Sequence, residues 1–302
     1  MLSPLSRPLW QFQSRITRRA TACPPLARRT LRTGVLLTAL ALAALPSAGH
    51  AATAAATTAP TYVETASRTL GSDVIVEAII RKSSRISAKQ APDLAPGRQR
   101  FLVEAEVVRV LAARQPVPQI IRYLWDVEVA PGGKAPKIRK RAATLFLREV
   151  ATSDSMYQLV DRDAQFLDAP RLAEIARGIA SDPLRARIDA MRIVGILEAT
   201  PMAHGPAGDR STTYLLATGD GGTMTATLTT TADGGQRIDL SPPDSLGDGI
   251  PVKNDSLAWY VLACGLPEAL PESVVDSAAR TGDSAQVVAD YLQLKRRIGP
   301  CQ

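Results

Sequence analysis

Gln119–Val129 reads QIIRYLWDVEV, and its alternation decides the fold class. Ile121, Tyr123, Trp125, Val127 and Val129 fall on one face, with Arg122, Asp126 and Glu128 on the other. A period of two with one apolar and one charged face describes an antiparallel strand that is wet on one side. Pro131-Gly132-Gly133 then turns the chain, and Ala142–Val150 is expected to return as the hairpin partner. Upstream, Val74–Ile80 (VIVEAII) and Phe101–Leu111 (FLVEAEVVRVL) read as strands, separated by a polar, proline-containing stretch, Arg81–Gln99, that reads as a loop. Met156–Val160 is a shorter strand. This first group has a strand number compatible with a small barrel of the OB type, although the strand number alone does not establish closure.

Downstream, Asp168 stands where a helix cap belongs, Pro170 fits the first turn, and Leu172, Ile175, Ala176 and Ile179 fall on one stripe before Asp182-Pro183 ends the run. Four more strands follow as RIVGILEA, STTYLLAT, TMTATLTT and QRIDL, from Arg192 to Leu240. The joins Gly219–Gly222 and Asp233-Gly234-Gly235 suit tight turns needing positive φ. The last three of these strands therefore form a meander. Its Thr-rich strand, Thr223–Thr231, has one polar face and belongs at an edge or facing water. The remainder is helical: Asn254 or Asp255 caps a helix carrying Leu257, Val261 and Cys264, and a last helix from Asp283 carries Val287, Tyr291, Leu294 and Ile298. The fold class is α+β, with mainly antiparallel sheets in two groups, one intervening helix and a disulfide-linked C-terminal helical tail.

The N-terminal part is of another kind. Thr33–Ala51, TGVLLTALALAALPSAGHA, is an apolar run preceded by arginines and followed by small residues, with Gly49 and Ala51 placed at −3 and −1 of a cut before Ala52. Such a run is short for a bilayer span and fits a cleaved secretory signal peptide over residues 1–51. Arg28-Arg29-Thr30-Leu31-Arg32 loosely resembles a twin-arginine signal, and the general secretory route is served as well by its positive charge. A mitochondrial transit peptide is a third option, opposed by the uniformly apolar run. The Ala/Thr-rich segment 52–72 reads as a flexible lead-in, and 73–302 as a single α+β unit. That unit has an N-terminal β part (73–168) and a C-terminal β-meander plus helices (170–302).

The leader changes the electrostatics. The whole chain carries a net charge of +7, but seven of its 36 basic residues and none of its 29 acidic residues precede Ala52, so the remainder balances 29 against 29. A neutral body has no global field to steer it onto nucleic acid. No long apolar run follows residue 52, so no transmembrane segment is expected after cleavage, and a periplasmic or secreted location follows. There, Cys264 and Cys301 are expected to form one disulfide, worth roughly 4 kcal/mol on the chain-entropy model.

Chemistry is harder to place. Lys134, Lys137, Arg139, Lys140 and Arg141 cluster at the tip and return of the expected hairpin, where they could meet an anionic envelope component or an acidic protein. Charges that blunt a sheet edge account for them more simply. Asp161, Asp163 and Asp168 are the candidate carboxylates for a hydrolase, with Asp161 and Asp163 sharing a face if strand alternation persists. His204, in an expected loop, has no nucleophile elbow to serve. The acidic, Gly-rich stretch Asp244–Gly249 lacks calcium-loop spacing. Trp125 and Trp259-Tyr260 read as core. Phosphate-binding glycine loops are absent, so no cofactor and no metal are expected. The chain therefore reads as an exported, non-catalytic binding or envelope-accessory protein, with an exported carboxylate-dependent hydrolase as the alternative.

Overall fold

The protein folds around two apolar cores, one inside a closed barrel and one between a meander and its covering helices. The structure, a computed structural model, describes residues 59–129, 136–151, 153–204, 208–242 and 249–302. The expected signal peptide, Lys134 and the acidic residues of 244–248 lie outside these residues.

The barrel contains β1 (Val74–Arg85), β2 (Arg98–Ala113), β3 (Ile120–Glu128), β4 (Ala142–Val150) and β5 (Ser153–Leu159), with short β6 (Gln165–Leu167) added on β4. Pairing runs β1-β2-β3-β5-β4 and returns to β1, which closes the ring in the Greek-key order of an OB-type barrel. Three register shifts bend β1 so that it pairs with β2 along its length and with β4 from Val74 to Ile79. The closing β3–β5 contact is parallel and brief, Arg122 against Met156 and Tyr123 against Tyr157. Val103, Ala105, Ile121, Tyr123, Leu145 and Leu147 are fully buried inside.

Two parts of the barrel differ from the expected pairing. β4 is not the hairpin partner of β3; it lies between β1 and β5, and the chain after β3 crosses over to reach it. The reason is visible in β4 itself, where every residue from Ala143 to Leu147 is buried, a pattern that a ribbon with one wet face would not show. Likewise β1 continues to Arg85 and β2 starts at Arg98, shortening the expected loop. Cross-strand polar pairs, Arg81 with Glu106 and Arg85 with Gln99, carry the ladder through residues that look like loop.

The second sheet follows chain order, β7 (Ile193–His204), β8 (Asp209–Thr218), β9 (Thr223–Thr230), β10 (Gln236–Ser241) and β11 (Ile250–Pro251). Gly221 and Gly234 take the positive φ that the two turns demand, 85° and 84°. The Thr-rich β9 is interior rather than an edge. Met224, Ala226 and Leu228 face the core, while Thr225, Thr227 and Thr229 stay partly exposed. Edge strand β7 carries two register shifts, and the unmatched residues there are Val194 and Leu197, 57% and 55% exposed.

Helices α3 (Leu257–Gly265), α4 (Glu272–Thr281) and α5 (Ser284–Ile298) supply the rest of this core, α4 being unforeseen. The cap of α3 is Ser256, whose Oγ accepts from Trp259 N, rather than Asn254 or Asp255. Val287, Tyr291, Leu294 and Ile298 are buried as their spacing implies. The Cys264–Cys301 disulfide is present, with a Cα–Cα distance of 4.9 Å, and ties the end of α3 to the residues after α5.

Helices α1 (Tyr62–Leu70) and α2 (Pro170–Ser181) join the halves. The lead-in expected to be flexible thus contains a helix. Thr61 and Glu64 form a reciprocal capping box, and Ala66 packs into the meander core. From the same helix Arg68 reaches Asp161 at 2.8 Å and lies over the Phe166 ring, both on the barrel side. α2 buries Leu172 and Ala176 against the barrel and Ile179 against the meander core. Asp168 does not cap α2: the cap position is Ala169, and the Asp168 carboxylate accepts instead from Arg141.

Candidate functional site

The basic segment sits on the crossover between β3 and β4, not on a hairpin tip. Ile138 is 2% exposed and roots it in the barrel. Lys140 N donates to Ile80 O at 2.7 Å, Ile80 N donates back to Arg141 O at 3.0 Å, and Lys140 holds φ at 67°. The exposed side chains of Lys137, Arg139 and Lys140 have no carboxylate partner among the described residues, whereas Arg141 donates twice to Asp168 Oδ2.

Arginines on the barrel strands behave differently. Arg100 makes a two-pronged contact with Asp126, at 2.7 and 2.8 Å, and a further one with Asp93. Arg98 pairs with Glu128, Arg122 with Glu104, Arg81 with Glu106, and Arg109 with both Glu77 and Glu174. Hydrogen bonding from Arg100 holds the Asp93 carboxyl below its ordinary range. This face is a neutralised lattice. A hollow of about 560 Å³ opens beside it, at the β3–β5 seam, between Arg100, Leu124, Met156 and Arg162.

The strand alternation that would place Asp161 and Asp163 on one face does not persist. Strand β5 ends at Leu159, so Asp161 and Asp163 lie in a turn rather than on one strand face. Asp161 is occupied by Arg68 and by the amide of Asp163, at 2.8 Å each. His204 is the last residue of β7 rather than a loop residue, and its side chain lies outside the described residues. Trp259 is core, its indole Nε1 donating to Ile298 O at 2.7 Å. Trp125 is half-buried against Phe101.

A groove of about 1040 Å³ was not anticipated. It runs between the start of α1, the β6–α2 connection, α2 and the cap of α3. Phe166, Leu167, Leu172, Ile175 and Ile179 give it apolar walls, with Tyr62, Arg141, Asp168, Arg171, Asp182 and Asp255 as its polar groups. Among the described residues, two of the three non-glycine residues with positive φ, Asp168 (52°) and Asp255 (56°), line it, and the third, Lys140, adjoins Arg141. Strained backbone concentrated at a concavity marks a candidate site. Burial, then Asp182 and Asp255, push the Tyr62 phenol well above its ordinary pKa. In the sequence only the Thr61-x-x-Glu64 capping pattern announced the helix that presents Tyr62.

Among the described residues no cluster of three metal-ligating side chains occurs, and no helix is long and apolar enough to cross a membrane. Comparison of the chain with known protein families and with curated proteins gives no match.

Proposed function

We propose that this chain is an exported, periplasmic or secreted, non-catalytic binding or envelope-accessory protein that engages an anionic envelope component through its basic crossover. One observation carries the reading. Among the described residues Lys137, Arg139 and Lys140 have no carboxylate partner, on a segment rooted by Ile138, while Arg81, Arg98, Arg100, Arg109 and Arg122 of the barrel strands are each matched with an acid. Cations held in place without partners favour an external anion, because no internal one has to be displaced. Export is supported by the leader pattern and by the Cys264–Cys301 disulfide, which oxidising compartments favour.

The test is retention of the purified protein on envelope extract at low and high salt, compared with a Lys137→Gln/Arg139→Gln/Lys140→Gln variant. Salt-sensitive retention by the native protein and its loss in the variant are expected. Equal retention of the two proteins would remove the crossover from the binding surface. Competition by an acidic protein fraction but not by anionic lipid or polymer would replace the envelope component with a protein partner.

A further inference from the structure

The groove between α1, α2 and the cap of α3 is a second site, separate in chemistry from the basic crossover. Its walls are aliphatic where Leu172, Ile175 and Ile179 of α2 meet it. Tyr62, packed edge-on against Trp259 with ring centroids 5.9 Å apart, supplies an aromatic surface. Asp182 and Asp255 line the same groove as Tyr62, and no Lys or Arg is paired with either among the described residues. Of the two cations in the lining, Arg141 is held by Asp168, which leaves Arg171. The lining thus carries one more acid than base.

We propose that this groove binds an amphiphile with a cationic head: an ammonium group seated between Tyr62, Asp182 and Asp255, and a hydrocarbon chain lying along α2. An ammonium beside an aromatic ring and two uncompensated carboxylates gains on both counts. An anionic head would face the same carboxylates with only Arg171 to offset them. A bare divalent cation is the wrong guest, since two carboxylates fall well short of the six to eight oxygens that calcium takes.

Isothermal titration of the purified protein with dodecyltrimethylammonium, dodecanoate and dodecyl maltoside, each below its micelle threshold, tests this. The ammonium compound should bind about tenfold or more tighter than the carboxylate of the same chain length, the scale of one desolvated cation–π contact. Asp182→Asn/Asp255→Asn should abolish that preference and leave the circular dichroism spectrum unchanged. Asparagine still caps the Leu184 amide that Asp182 accepts, at 2.9 Å, and still tolerates the positive φ of position 255. The single Asp255→Asn variant gives a partial loss if the double variant is unstable. Ile175→Ser should weaken all three compounds alike. The Lys137→Gln/Arg139→Gln/Lys140→Gln variant should bind the ammonium compound as the native protein does, so failure at the crossover and failure here are told apart. Equal affinity for the two charged heads, a preference that survives both Asn changes, or no binding of any of the three overturns the proposal.

Discussion

The barrel and the meander are both β, but their pairings draw on different distances along the chain. In the meander each strand pairs with its sequence neighbour, from β7 to β11 in order, and tight turns join β8 to β9 and β9 to β10. In the barrel Val74 pairs with Ala113 on one side and Leu147 on the other, and closure waits for β3 to meet β5 in parallel. Loop closure over such spans costs entropy before any contact repays it. The contrast teaches that the meander can be assembled from local turn chemistry, whereas the barrel exists only when β1, bent by its register shifts, has partners on both sides.

The largest effect that probes this difference belongs to the disulfide. Replacing Cys264 and Cys301 with Ser should lower the stability of the meander half by roughly 4 kcal/mol. In urea, read by Trp259 fluorescence in a Trp125→Phe background, that transition should move further than the barrel transition read by Trp125 in a Trp259→Phe background. Equal shifts would mean the two cores melt as one and would erase the distinction. A smaller effect tests the bridge. Thr61→Ala removes the α1 cap and should cost about 1 kcal/mol. Because α1 touches both cores, both tryptophan transitions should shift, and a shift in only one would detach α1 from the other.

The smallest effect is pH dependence at the meander turns. A hydrogen bond from Thr218, then the Gly222 amide, holds Asp220 below its ordinary pKa; Thr231 and the Gly235 amide do the same for Asp233. A depressed folded-state value stabilises above the unfolded pKa of about 3.9. That contribution fades as pH falls through the lower folded-state value. The melting-temperature gap between native protein and Asp220→Asn/Asp233→Asn should be constant above the unfolded pKa of about 3.9 and close on acidification below it. A gap that does not narrow would mean the turns owe nothing to these charges.

The same contrast explains what could be read in advance. Turn chemistry at Gly219–Gly222 and Asp233–Gly235 wrote the meander plainly, and helical spacing exposed the buried stripe of α5. Cys264 and Cys301 announced their bond by being the two cysteines after the expected leader. Barrel closure was hidden because strand alternation says which face is buried but not which strand lies alongside. The consecutive apolar residues Leu145-Phe146-Leu147 were the available clue. The groove was hidden for a related reason. Tyr62, Asp182 and Asp255 are far apart in sequence and become neighbours only once α1 docks. Of the basic cluster the composition was legible, but not the crossover that presents it.

One feature of β7 reaches beyond the single molecule. Val194 and Leu197 each interrupt the spacing of amides along the strand, and Pro201 contributes no N–H at all. A foreign strand seeking to extend the sheet meets an irregular comb of donors it cannot match for more than a few residues. Two greasy side chains can therefore sit in water on an open border without recruiting the next copy into a fibre.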